Sequence, residues 1–510
     1  MATEKTGGIL TIDGIDTSKP AEYLDITNTP NCENVSISRS LIHKRVGATQ
    51  LGLTMSEAVM GGREFNRAGV TYVVRVGITT VEEWDDVGEV WDDITGSALT
   101  ASNTDAVSFA TPLLSGSRIL VFTNFIDPIQ KYDTGGVCAP LGGTPPLAKF
   151  VQEYGPYLLL AYVDDGAVRP ARVQWCDTGL PETWSGGSAG SKDLIEDGDS
   201  ITGMALYDNY VAVHKSKAIY LGYLVTTSAV FKFDRKSTGA GTIANNSIQN
   251  LPSGEQAFLA IDGIRLFNGI SAPLIESKVA EDLREGVNTT YISRVWSVVV
   301  KELNEYWLGV PIGSEETGSV VYKYNYVTRA CHKDTRPNVV SAFTYIESNQ
   351  PTWDDQTLTW DEATDRWDSG SLQALFPHVL LNDLSGLSIR RDVGVNSDNG
   401  AAVNSFWETR DFQSKEDPVF LCQWLEMELY AKGTSLNIEY SVDSGQTWTQ
   451  ASNSPLALSA DFPRDDAPIR VWFDVVSSKI RFRFKNNELN GTFYLKQFFI
   501  LYRNREKRGY

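Results

Sequence analysis

Four histidines (His43, His214, His332 and His378) and five cysteines are the side chains best suited to nucleophilic, acid–base or metal chemistry here. Their spacing does not organise them for it. No H-E-x-x-H and no C-x-x-C occurs in the chain. Cys331 and His332 are neighbours, but adjacent side chains of a strand leave opposite faces and cannot form a nucleophile–base pair directly. Gly239-Ala-Gly241-Thr-Ile-Ala244 matches G-x-G-x-x-A, a dinucleotide-binding pattern only where it opens the helix of a βαβ unit. The following NNSIQNLPSG cannot start such a helix, so the segment reads as an inter-strand loop, and Gly186–Asp193 misses the P-loop spacing. The pairs Asp165–Gly166, Asp197–Gly198 and Asp262–Gly263 are hairpin-turn signals, with calcium at one of them as the sharper alternative. These residues point away from an enzyme, and no catalytic, cofactor-binding or metal residue is assigned.

Two aromatic–acidic patterns are more specific. Ser441-Val-Asp443-Ser-Gly445-Gln-Thr-Trp448 fits S-x-D-x-G-x-x-W. In a tight hairpin Asp443 can accept backbone N–H bonds, Gly445 permits positive φ, and Trp448 packs behind the turn. The string is similar to the Asp-box of sialidases, where it is structural and remote from the chemistry; a structural turn is expected here as well. Trp-Asp pairs recur every seven residues at Trp84 and Trp91, and again at Trp353, Trp360 and Trp367. Indoles at that spacing in a hairpin meet across or beside the turn. They either pin blade edges or a linker to the core, or form an exposed aromatic rim that grips a partner as interface residues.

The elements that must carry these residues read almost entirely as strands. Runs rich in Val, Ile, Leu, Tyr and Phe alternate with Gly, Asp, Asn and Thr turns, and the best helix candidate is 275–286. Strand openings fall at Thr71, Arg118, Tyr157, Tyr210, Ala257 and Tyr306, a mean interval of 47 residues. A strand-only repeat of about 40–50 residues is the signature of β-propeller blades, with a large irregular sandwich as the alternative. The expected fold is all-β: a β-propeller-like repeat domain followed by a C-terminal antiparallel β-sandwich. Residues 1–60 read as an N-terminal extension packing on the propeller or platform, 61–350 as the propeller, 351–404 as a Trp/Asp-rich linker or insertion, and 405–510 as the sandwich. The alternation of Ile480, Phe482 and Phe484 with Arg481, Arg483 and Lys485 predicts a half-buried sheet there.

Composition narrows the function classes. The chain has 510 residues, 64 acidic against 45 basic, and a formal charge of −19. Its 55 aromatics exclude a disordered acidic tail. The deficit of positive charge argues against a general nucleic-acid binder, because phosphate contacts supply that affinity. The start MATEKTGGIL shows no apolar signal segment, and the apolar runs are too short to span a membrane as helices. Odd-numbered, scattered cysteines (Cys32, Cys138, Cys176, Cys331, Cys422) argue against a disulfide framework and fit synthesis in a reducing cytoplasm.

The segment Cys32–Gly52 resembles the start of tail nozzle, or tail tubular B-type, proteins of short-tailed bacteriophages. The matching positions are Asn34, Val35, Lys44, Arg45 and Gly47. The W-D-D, W-D-E and W-D-S run and the C-terminal IEYSVDSGQTW, IRFRFKN and FYLKQFFILYR are also similar to phage tail and stabilisation proteins. The resemblance implies a structural virion protein made in the bacterial host cytoplasm and located in the tail. It implies a homo-oligomer, a hexameric ring below the portal-adaptor ring, that extends the DNA conduit, docks tail fibres or spikes and gates genome ejection. Genomic DNA would pass through the lumen without tight binding, and no cofactor is implied. Two other classes fit the Asp-box and the aromatic content: a carbohydrate-binding or sialidase-like β-propeller, and a host-recognition adhesin.

Overall fold

A computed structural model describes residues 4–9, 13–38, 41–225, 230–275, 279–346, 376–413 and 421–505. Among them the chain is almost all strand, and the one α-helix is Ala280–Gly286. Seven sheets follow one another along the sequence, each built on an antiparallel meander of short strands. The first blade comprises Gly61–Arg67, Val70–Val76, Val81–Asp85 and Val90–Asp93. The second is built on Ser108–Ala110, Leu120–Thr123, Gln130–Tyr132 and Ala139–Pro140. Leu147–Tyr154, Tyr157–Asp164, Val168–Trp175 and Gly190–Asp193 make the third. The fourth runs Ile201–Tyr207, Tyr210–Lys215, Ala218–Leu224 and Phe231–Thr238. A three-stranded fifth blade (Gln249–Asn250, Gln256–Ala260, Gly263–Phe267) precedes the sixth, Trp296–Val300, Glu305–Val310, Val320–Asn325 and Cys331–Thr335.

Each meander buries little by itself, so the blades stack radially, and their first strands meet around an axis. Side chains stitch those inner edges together. Ser108 Oγ accepts from the Val151 N–H (3.1 Å), and Asn245 Oδ1 accepts from the Met204 N–H (3.0 Å). Ser297 Oγ donates to the Asn246 carbonyl and Ser341 Oγ to the Val59 carbonyl, both at 2.7 Å. Inner-edge backbone groups that a radial sheet leaves unpaired thus find partners on the next blade, as buried polar groups require.

The seventh blade closes the ring and corrects two sequence-based boundaries. Its strands are Val339–Tyr345, His378–Asp383 and Ser388–Asp392, followed by Gly47–Gln50 from the N-terminal region, paired antiparallel as Ile389 with Gln50 and Asp392 with Gly47. Residues 378–392, expected in a linker, are therefore propeller, and 47–50, expected in an extension, are its closing strand. The propeller does not end at 350. Only the 29 residues 347–375, which connect the first two strands of this blade, separate it from the regular repeat, and they lie outside the described residues.

The C-terminal sandwich is as expected, with additions from the N-terminus. One sheet orders Ile469–Ser477, Cys422–Gly433, Phe493–Asn504, Leu41–Lys44 and Val35–Ser38, with Glu4–Ile9 also on Phe493–Asn504. The other orders Cys32–Glu33, Ser405–Glu408, Lys479–Asn486, Ser435–Ser441 and Thr449–Gln450. Phe484 of one sheet meets Phe498 of the other with ring centroids 5.4 Å apart. The N-terminal segment belongs to both bodies: Gly14–Ile15 adds to the sixth blade, whereas Val35–Ser38 adds to the sandwich. A single apolar core runs from Tyr322 and Leu308 of that blade through Cys32 and Val35 to Phe484 and Phe498.

Candidate functional site

The Asp-box forms the predicted turn. Ser441 Oγ donates to Asp443 Oδ1 (2.6 Å), which also accepts from the Thr447 N–H (2.9 Å), and Asp443 Oδ2 accepts from Thr447 Oγ1 (2.5 Å). Ser444 (φ 60°) and Gly445 (φ 89°) turn the chain. These donors hold the Asp443 carboxyl well below the usual carboxylate range. Behind the turn the Arg483 guanidinium lies 3.8 Å from the centroid of the Trp448 ring. Sequence reasoning missed what this does to the strand below. Arg481 and Arg483, on the polar side of the alternation, carry an ionic ladder: Arg481 Nε donates to Asp411 (2.7 Å) and Arg483 Nη2 to Glu408 (2.6 Å). Their partners lie about seventy residues away in sequence, where no local pattern could reveal them.

Trp84 and Trp91 pair directly across the outer hairpin of the first blade, with ring centroids 5.2 Å apart. Trp91 Nε1 donates to the Leu51 carbonyl (2.9 Å), and Arg75 stacks 4.2 Å from its ring centroid. Trp84 is buried, and both rings press on Gly52, just past the closing strand. This arrangement is the pinning role, with the first blade clamped to the closing strand. Trp353, Trp360 and Trp367 lie outside the described residues.

The residues behind the N-terminal resemblance converge on one buried junction. Asn34, held at φ 54°, accepts at Oδ1 from Arg45 Nε (2.8 Å) and the Thr335 N–H (3.0 Å), and donates to the Asn404 carbonyl (2.7 Å). Arg45 reaches both oxygens of Asp398 at 2.8 and 2.5 Å. Lys44 donates to Asn486 Oδ1 (2.9 Å) in the sandwich. Gly47 lies so close to the Ser397 backbone that any Cβ would collide with it. Asp334 is fully buried between Lys323 and Arg45. Burial pushes its carboxyl upward, but the Lys323, Arg45 and Arg336 cations outweigh that and hold it below the ordinary range. Burial, with Arg45 adjacent, lowers Arg336 to about 10. The motif is thus a charge-compensated joint between the sixth and seventh blades and the sandwich.

The remaining reactive side chains are dispersed. All five cysteines are buried and none is in a disulfide, and burial pushes the Cys32 and Cys138 thiols up to about 12. His214 and His332 are buried neutral imidazoles, burial holding both below their ordinary value. His332 Nε2 is 3.4 Å from Glu305 Oε1, and with a neutral ring this contact is not an ion pair. Gly239–Ala244 is loop before the short 3₁₀ turn Asn245–Ser247. Asp165, Asp197 and Asp262 are paired with Arg172, Lys215 and Arg265. Among the described residues no group of three or more His, Cys, Asp or Glu side chains is placed to hold a metal ion.

One recess lies on the propeller axis. Strands of all seven blades line a channel of about 550 Å³. Arg63, Glu64, Gln152, Glu153, Asn250 and Lys301 give it a mixed polar wall. Glu64 accepts from the Ile346 N–H at 2.5 Å, and burial raises its carboxyl. Neutral amides and mixed charge suit water or a small polar solute; among the described residues the wall presents no nucleophile–base pair.

No protein-family model and no curated protein matches this chain. Among solved structures it is similar to BamB from Moraxella catarrhalis at 10% identity and TM-score 0.37, covering 77% of this chain and 98% of that one. YCF48 from Cyanidioschyzon merolae matches at 13% identity and TM-score 0.37, over 68% of this chain and 98% of the other. An exo-beta-1,3-galactanase from Phanerochaete chrysosporium gives 11% identity and TM-score 0.26, over 97% and 100%. Likenesses this loose say nothing of activity, and the propeller assignment rests on the seven sheets themselves.

Proposed function

We propose that this β-propeller protein is a structural component of a short-tailed phage virion, a ring-forming nozzle that extends the DNA conduit and docks fibres or spikes. The observation that carries the reading is the junction built by Asn34, Lys44, Arg45 and Gly47. The same residues that give the sequence its resemblance join propeller and sandwich through buried hydrogen bonds and ion pairs. Rigid joining of two closed β bodies is what a wall holding a fixed channel diameter requires, and closed blades leave few open strand edges for unwanted pairing. The test is mass spectrometry of purified particles together with negative-stain imaging of the isolated protein. The chain should be present at ring stoichiometry and form annular assemblies with a central opening. Its absence from the particle overturns the proposal, and release of sialic acid by the purified chain would move it to the sialidase-like class. Adsorption of the purified chain to host cells that blocks infection would favour the adhesin reading.

A further inference from the structure

A second recess lies on the third blade, away from the axis and from the junction. It is a shallow groove of about 780 Å³ between the Thr144–Leu147 segment, the Asp164–Gly166 turn and the outer strand Gly190–Asp193. Its apolar wall is Trp184 with Pro145 and Pro146. The indole rests beside Gly143, where an added Cβ would sit 3.4 Å from Cδ1. Trp184 Nε1 is buried with no acceptor among the described residues, so packing, not a hydrogen bond, holds the ring.

The polar wall is organised in advance. Arg172 donates from Nε and Nη2 to the two oxygens of Asp193 (2.7 and 3.0 Å) and from Nη1 to Asp165 (2.8 Å). Asp164 accepts from the Gly166 N–H at 3.0 Å. Gln174 and Ser191 stand opposite each other on the two outer strands and also line the groove.

We propose that this groove binds a neutral saccharide. A pyranose ring offers an apolar C–H face flanked by hydroxyls that each donate and accept. The groove sets an indole and two proline rings beside carboxylate acceptors (Asp164, Asp165) and donors (Arg172, Gln174, Ser191). Charge selects within the class: Arg172, the cation among the lining residues, is committed to Asp165 and Asp193, so an anionic sugar gains no unpaired cation there while a neutral one needs none. The site is independent of the nozzle reading and adds a binding activity on the propeller's outer surface.

The test uses the full-length protein with maltohexaose, cellohexaose, mannohexaose and a β-galactan hexasaccharide, and 3′-sialyllactose as the anionic probe. Saturation-transfer NMR and calorimetry read the binding. At least one neutral hexasaccharide should bind with Kd of about 1 mM or tighter, and 3′-sialyllactose at least tenfold more weakly. Trp184→Ala should weaken binding at least tenfold, whereas Trp472→Ala, which removes an exposed indole on the sandwich, should leave it unchanged. Should Trp184→Ala fail to fold, Ser191→Arg on the exposed outer strand fills the groove and should abolish binding in a folded protein. Failure of all four neutral probes to bind overturns the proposal. So does tighter binding of 3′-sialyllactose, or binding that survives Ser191→Arg.

Discussion

His214 sits in the second strand of the fourth blade with its ring wholly out of water. Its Nε2 is 2.8 Å from Gln256 Oε1, while the Gln256 amide donates to the Leu206 carbonyl (3.0 Å) and Asn250 (2.9 Å). The amide orientation makes Nε2 the protonated nitrogen. Burial lowers the imidazole from about 6.5 to about 4, a shift the Gln256 bond only partly opposes. The unfolded chain therefore binds a proton as pH falls through about 6.5, and the folded one only near 4. Stability from this group is complete above the unfolded value and lost as pH drops through that window, by about 3 kcal/mol in all. In urea titrations His214→Gln should lose about 2 kcal/mol less than the wild type between pH 7 and pH 4.5. Parallel losses in the two proteins would show that the buried imidazole does not govern this limb. At this scale the sequence was readable where partners are local, as in the Asp-box from Ser441 to Trp448. It was opaque at Arg481 and Arg45, whose carboxylates Asp411 and Asp398 come from distant segments of the chain.

Six strand openings at a mean interval of 47 residues proved to mark the second strand of six successive blades, from Val70–Val76 to Glu305–Val310. That strand is flanked on both sides within its sheet, so it is the most continuously apolar and the easiest to read. The seventh second strand, His378–Asp383, begins 72 residues after Tyr306 because residues 347–375 intervene, which hid it from the period. The closing strand was hidden for a different reason. Gly47-Ala-Thr-Gln50 is short and barely apolar, and only long-range pairing makes it a strand. Its seat is tight at Gly47, where the Ser397 backbone fills the space a side chain would need. Gly47→Ala should destabilise the protein by about 1–3 kcal/mol through overpacking. Hydrogen exchange should accelerate in Ser388–Asp392 before it changes in the third and fourth blades. Uniform acceleration across all blades would mean that ring closure does not depend on this strand.

A channel of about 550 Å³ belongs to the size range of small-molecule sites, roughly 300–1,000 Å³. It cannot admit duplex DNA, whose major groove alone is about 12 Å wide. If this protein walls a DNA conduit, the conduit runs between copies, past the outer surfaces of propeller or sandwich, and the charge of those surfaces decides how DNA moves. One chain carries −19, so a ring of six concentrates roughly six times that charge around a negative polymer. Phosphates then find too few cations to bind, which lowers friction, while the copies repel one another. That repulsion is screened within about 8 Å at 0.15 M salt and reaches about 30 Å at 0.01 M. Ring assembly followed by sedimentation velocity should therefore strengthen from 0.01 to 0.15 M salt. Weakening over that range would mean that ion pairs hold the subunits together. In reconstructions of the assembled tail, acidic residues should outnumber basic ones on the conduit wall by more than the chain's own 64 to 45. An uncharged or basic wall would sink the idea that repulsion eases passage, because DNA would then meet the counterion-releasing contacts that bind it.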